Sequence, residues 1–150
     1  SSDLSVPKFT INDANGNKVK STDFKGKKHV IYFYPKDFTP GCSTQADEFS
    51  TDYKKFQNKD IEIIGISPDD VDSHKKFCEK MGIKYVLLAD TEKEVSKAFD
   101  VWSMKKFMGR EYMGVVRSTF LVNEKGKIFK IYSKVKAKGH AKQVLEDFTK

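Results

Sequence analysis

A chain of 150 residues, 38% hydrophobic and 33% charged, is long enough to build one domain, spanning 1–150, around a substantial core. Its formal charge of +7 is spread among interleaved acids, so neither a specific nucleic acid nor a membrane surface is expected as a partner. No apolar run could span a membrane, residues 1–10 have no signal-peptide pattern, and two Cys fit free, catalytic or redox-active thiols in an intracellular setting, the cytoplasm first with an organelle or the nucleus as alternatives, rather than a disulfide scaffold.

Val6 to Ile11 alternates weakly and leads to Asn15-Gly16, a strong two-residue hairpin signal, so a small N-terminal β-hairpin returning through Lys18 to Lys20 is expected. Ser21 to Gly26 reads as a short capped turn. His29 to Tyr34 is short, β-branched and aromatic, the mark of a buried strand. The spacing of apolar residues predicts a helix from about Pro40 to Phe56. Ile61 to Ser67 is a second buried strand, closed by Pro68. A helix opening at Asp69 to Ser73 has acids at its favourable end, carries Phe77, Cys78 and Met81, and stops at Gly82. Tyr85 to Ala89 is a third strand and Glu92 to Phe99 a short helix. Asp100 to Met113 reads as an irregular connection. Val115 to Val122 and Ile128 to Tyr132 form a hairpin, and His140 to Phe148 is the closing amphipathic helix. Strands alternating with helices predict an α/β fold with a central mixed sheet flanked by helices, in a thioredoxin-like order. That fold hosts many activities, so function has to come from a site.

The chemistry concentrates in Tyr34-Pro35-Lys36-Asp37-Phe38-Thr39-Pro40-Gly41-Cys42. Thr39 is a good N-cap and Pro40 suits the first helical position. Cys42 then falls in the first turn, among unpaired amides and at the positive end of the helix dipole, where negative charge on sulfur is favoured. A buried Cys with no chemistry is the plain alternative. Against it stand the cap, the Pro and the preceding strand together. Gln45 occupies the place where a Cys-x-x-Cys disulfide reductase needs its second thiol. A basic thioredoxin-like binding module is the rival from another class; it predicts that Cys42→Ser leaves function intact and that binding falls steeply with salt. His29, His74 and His140 have no metal-type spacing, so structural or surface roles and no metal are expected. Trp102, Met104, Phe107, Met108 and Met113 are expected to cover the core or to wall a pocket. Lys134 to Lys138 is expected to be a solvated face.

The same stretch resembles the peroxidatic motif of peroxiredoxins. Gly65-Ile66-Ser67-Pro68-Asp69, Leu87-Leu88-Ala89-Asp90 and Arg117-Ser118-Thr119-Phe120-Leu121-Val122 narrow the resemblance to the peroxiredoxin Q group, also called bacterioferritin comigratory proteins. It runs from about Val6 to the C-terminus. The resemblance implies a thiol-dependent peroxidase without metal or organic cofactor, acting on hydrogen peroxide and small organic hydroperoxides, and a monomer. Cys42 would be the attacking thiolate, Thr39 would hydrogen-bond the peroxide, Pro35 would shield the sulfenic acid, and Arg117 would complete the pocket with the Gly41 and Cys42 amides. Many members carry a resolving Cys five residues after the first, but here that position is Asp47. Another subgroup places it on the next helix, where Cys78 stands, which implies an intramolecular Cys42–Cys78 disulfide. Thioredoxin or a similar dithiol protein would then reduce it. The alternative for Cys78 is a structural helix residue beside Phe77 and Met81, leaving a one-Cys enzyme.

Overall fold

The computed structural model describes residues 4–149. Its main sheet has seven strands in the order β2-β1-β5-β4-β3-β8-β9, with β1 Thr10–Asp13, β2 Lys18–Lys20, β3 Lys28–Phe33, β4 Ile61–Ser67, β5 Val86–Ala89, β8 Ser118–Val122 and β9 Ile128–Tyr132. β3, β4 and β5 run parallel, and helices α1 Pro40–Thr51 and α2 Tyr53–Asn58 connect the first two while α3 Val71–Met81 connects the second and third. β1 joins β5 antiparallel, and β8 joins β3 antiparallel, so the sheet is mixed as its hairpins require. Helices α4 Glu94–Ala98 and α5 His140–Phe148 complete the main layers.

Strand alternation divides the core in two. Val30 and Tyr32 of β3, Ile61 and Ile63 of β4 and Leu87 of β5 face one side, where they pack with Cys42, Phe49 and Phe77 of α1 and α3 and with Val144 of α5. Ile31, Phe33, Ile64, Ile66 and Leu88 face the other, against Val95, Phe99 and the N-terminal Phe9. Gly65 is where the first face is tightest: a Cβ there would lie 2.7 Å from Leu87 Cδ2 and 2.9 Å from Tyr32 Cζ. The missing side chain lets the Tyr32 ring stack on Phe49 at 4.7 Å between centroids, beneath the helix that carries Cys42.

Several expectations need correction. The single helix from Pro40 to Phe56 is two, separated at Asp52, whose ψ of 4° is no longer helical. The irregular connection from Asp100 is instead a two-stranded antiparallel ribbon, β6 Trp102–Phe107 and β7 Arg110–Val115, so Val115 ends β7 and does not begin β8. Its turn, Met108-Gly109, has φ of 51° and 79°, a mirror-image hairpin turn with Met where Asn is usual. Met104, Phe107, Met108 and Met113 do not cover the core; they are exposed, Met108 at 88%. The ribbon has no buried face, so the alternation that betrays a strand was missing. Only Trp102 and Val115, at its base, pack on the second core cluster. All three His are buried, and Lys134, Lys136 and Lys138 are exposed.

Candidate active site

The strand β3 ends at Phe33, and the loop from Tyr34 to Thr39 delivers the chain into α1 with Pro40 in its first turn. Thr39 occupies the N-cap position, but its hydroxyl does not accept an amide as the sequence suggested; it donates to the Lys36 carbonyl at 2.7 Å. That bond tightens the loop and leaves the Thr39 oxygen lone pairs for an incoming donor. Pro35 and Gly41 are half-buried on the same loop and turn. Cys42 is 2% exposed, with its sulfur held in the first turn of α1.

Arg117 comes from the link between β7 and β8, far along the chain, and closes on the same turn. Its Nη2 donates to Cys42 Sγ at 3.3 Å and its Nη1 to Gln45 Oε1 at 2.6 Å. Gln45 was missed as a site residue, although it lies three residues after Cys42, on the same helix face, and that spacing could have found it. Among the described residues its buried Nε2 has no hydrogen-bond partner, so the amide N–H donors remain unused beside the guanidinium and the thiol. Gly41 makes room: a Cβ there would lie 3.0 Å from Arg117 Nη2. Lys105 of β6 adds a second cation nearby, donating to the Val115 carbonyl at 3.0 Å. Burial and the neighbouring Arg117 push its pKa down, partly offset by Cys42. The site thus combines a buried thiol, a guanidinium fixed on it and a hydroxyl at the opening of one helix. Such a site can support nucleophilic sulfur chemistry with charge developing on a leaving oxygen.

Cys78 lies in the last turn of α3, where its carbonyl accepts the Gly82 and Ile83 amides. Both thiols are free, and both pack in the same core cluster. Burial, followed by the charges of Asp37, Asp13 and Glu79, pushes the Cys78 thiol up to about 11. It also lines a cleft of about 340 Å³ with Asp13, Lys75, Glu79 and Tyr85.

A second cluster escaped the sequence reading because its members are far apart in the chain. Asp37, 3% exposed, accepts from Tyr34 Oη at 2.7 Å, Ser73 Oγ at 2.8 Å and sits 2.7 Å from His74 Nδ1. Its own amide donates to Asp69 Oδ2 at 2.8 Å. Asp37, Asp69 and His74 are the one metal-compatible grouping among the described residues, but their ligand atoms are already engaged with one another and with Ser67, Ser73 and Tyr34. The group is a self-satisfied network, as buried polar atoms require.

Residues 3–131 match the model of the AhpC/TSA family. Peroxiredoxin Bcp of Bacillus subtilis is 46% identical over 141 residues, covering 94% of this chain and 90% of that protein. Peroxiredoxin Bcp of Escherichia coli is 37% identical over 93% of this chain and 90% of its own length. Among solved structures, a Cys-to-Ser variant of peroxiredoxin Q from Xanthomonas campestris superposes with a TM-score of 0.92 at 34% identity, covering 99% of this chain and 97% of that one. The bacterioferritin comigratory protein of the same organism, described for alkyl peroxide reduction, superposes with a TM-score of 0.93 at 33% identity, covering 99% and 98%.

Proposed function

This chain belongs to the AhpC/TSA family and is a thiol peroxidase of the Bcp or peroxiredoxin Q group, and from that premise we propose the residues that carry the reaction. Cys42 is the peroxidatic residue. Its thiolate attacks the hydroxyl oxygen of a hydroperoxide; the S–O bond forms as the O–O bond breaks, giving Cys42 sulfenic acid and hydroxide or an alkoxide that takes a proton from water. The Arg117 guanidinium, 3.3 Å from Sγ, balances the negative charge on sulfur and then on the departing oxygen. Thr39, with its own proton committed to Lys36, accepts from the peroxide O–H and orients it. Gly41 and Cys42 amides supply further donors, and Pro35 shields the new sulfenic acid.

Cys78 then resolves it. Its sulfur bonds to Cys42 Sγ, the S–O bond breaks, and the hydroxyl leaves with the thiol proton as water. Thioredoxin or a similar dithiol protein reduces the disulfide by exchange. The substrates are hydrogen peroxide and small organic hydroperoxides, the working unit is a monomer, and the compartment is the cytoplasm. Among the described residues no helix is long and apolar enough to cross a membrane.

The single observation carrying this assignment is the Arg117 bridge, from Cys42 Sγ to Gln45 Oε1, at the opening turn of α1. The same Gln45 fills the position a disulfide reductase would need for a second thiol. The test is intact mass of the reduced protein after one equivalent of hydrogen peroxide without reductant. The expected result is a loss of about two mass units that disappears in Cys78→Ser. A gain of about sixteen or thirty-two units would make Cys78 structural. No change at all would discard Cys42 as the peroxidatic residue.

A further inference from the structure

Cys42 and Cys78 begin on different helices, and a disulfide needs their Cα atoms within about 7 Å. The loop that leads into Cys42 is fastened to the helix that bears Cys78. Asp37, five residues before Cys42, receives Ser73 Oγ at 2.8 Å and His74 Nδ1 at 2.7 Å on a single carboxylate oxygen, while its backbone amide is bound by Asp69 at 2.8 Å. His74 is fully buried, and its other ring nitrogen lies 2.9 Å from the Leu88 carbonyl. A carbonyl can only accept, so Nε2 carries a hydrogen, and Asp37 and Nδ1 hold one further proton between them. The result is a charge-assisted contact out of water, the strong kind.

Phe38 adds a second fastening and a spring. It has φ of 67°, a conformation that costs a residue with a Cβ, yet its ring is 45% exposed. What holds it there lies on α3: the Phe77 ring at 5.1 Å between centroids and Lys80 Nζ at 5.7 Å. Phe77 and Lys80 flank Cys78, and His74 is one turn before it. The strained residue and the buried pair therefore cross the same boundary, between the Cys42 loop and the Cys78 helix.

We propose that Asp37 and His74 are positioning residues of the resolving step: their buried pair clamps the Cys42 loop onto the Cys78 helix, and its opening gates disulfide formation. The inference rests on the reading that Cys78 resolves the sulfenic acid. With the clamp closed, Cys42 stays in the turn where Arg117 can serve the peroxide. With it open, Phe38 relaxes and the first turn of α1 can unravel. The Cys42 S–O bond is then exchanged for the S–S bond with release of water. Until that happens, a second peroxide competes for the sulfenic acid and takes it to sulfinic acid.

The experiment follows both fates of the sulfenic acid in the full chain, by rapid quench and mass, over a range of peroxide concentrations. In His74→Leu, disulfide should form at least about tenfold faster, and the peroxide needed for half sulfinic acid should rise in proportion, because a hydrogen bond to a charged buried group has been removed. Oxidation of Cys42 to sulfenic acid should stay within about twofold. His74→Asn, whose amide can still donate to Asp37, should return both quantities toward the parent. A loss of packing alone would slow the first step and leave the partition between disulfide and sulfinic acid unmoved. Resolution that is unchanged or slower in His74→Leu overturns the clamp. If that variant does not fold, Ser73→Ala decides: about threefold faster resolution supports the clamp, and none overturns it. A parent protein that gains oxygen and never loses two mass units would instead overturn the resolving role of Cys78, and the clamp with it.

Discussion

Cys42 and Cys78 are the same side chain in opposite surroundings. Cys42 stands in the first turn of α1, at the positive end of the helix, with the Arg117 cation on its sulfur. Cys78 stands in the last turn of α3, at the negative end, among the charges of Asp37, Asp13 and Glu79. Exposure would rank them wrongly. Cys42 is the more buried, yet it is the one given a counter-charge, while Cys78 reaches a surface cleft and is pushed up to about 11. The difference teaches that position along a helix and the sign of the nearest charge, more than access to water, distinguish the thiol proposed to attack from the one proposed to resolve.

That contrast can be broken at its strong end first. Cys42→Ser should reduce peroxide consumption to background in a coupled thioredoxin assay, with the fold intact by circular dichroism. Turnover that survives would move the chemistry elsewhere. Arg117→Met keeps the stem and deletes the cation. It should slow Cys42 oxidation by roughly 10²–10³, the usual loss for a charge-stabilising donor, read by stopped-flow tryptophan fluorescence.

The quiet end of the comparison is tested by pH. In Cys42→Ser, alkylation of Cys78 in the native protein at neutral pH should be about 100-fold slower than in denaturant, as a rise from 9.0 to about 11 implies. The rate should climb until pH nears 11. Folding favours the protonated thiol, so its stabilising share is complete below pH 9 and is lost as pH rises toward 11. Thermal melts of Cys42→Ser with and without Cys78 should therefore converge over that range. An alkylation profile centred near 9.0 would erase the asymmetry. Smallest of the effects, Gly41→Ala would place a Cβ 3.0 Å from Arg117 Nη2 and displace the guanidinium. About tenfold slower oxidation of Cys42, with unchanged resolution, is expected.

Much of the first environment was legible from the sequence because it is local. Thr39, Pro40 and Cys42 are consecutive enough for helix-start rules to place the thiol in its turn, and Gly82 ended α3 as expected, at φ 66°. Arg117 was reached through the resemblance, since nothing in its own strand context aims it at Cys42. What stayed hidden is long-range or exposed. Asp37 is an acid with no sequence neighbour that explains its burial, and His74 stays open between a structural and a surface role until tertiary contact buries both. The hydroxyl of Thr39 donates to the carbonyl of Lys36 in its own loop and caps no helix amide. The β6–β7 ribbon escaped because strand patterns are read from a buried face, and it has none.

That ribbon has a chemical consequence of its own. Three of the four methionines, Met104, Met108 and Met113, stand on it with their thioethers in water, on a molecule whose substrate is an oxidant. Thioethers so exposed are the first to become sulfoxides, and each conversion turns an oily contact into a polar, chiral one without disturbing either core cluster. Under heavy peroxide load the molecule would thus keep its fold while its outermost face changed solubility and stickiness. Sulfoxide reductases could restore it. The oxidation state of the ribbon would record the peroxide that the cysteines failed to intercept.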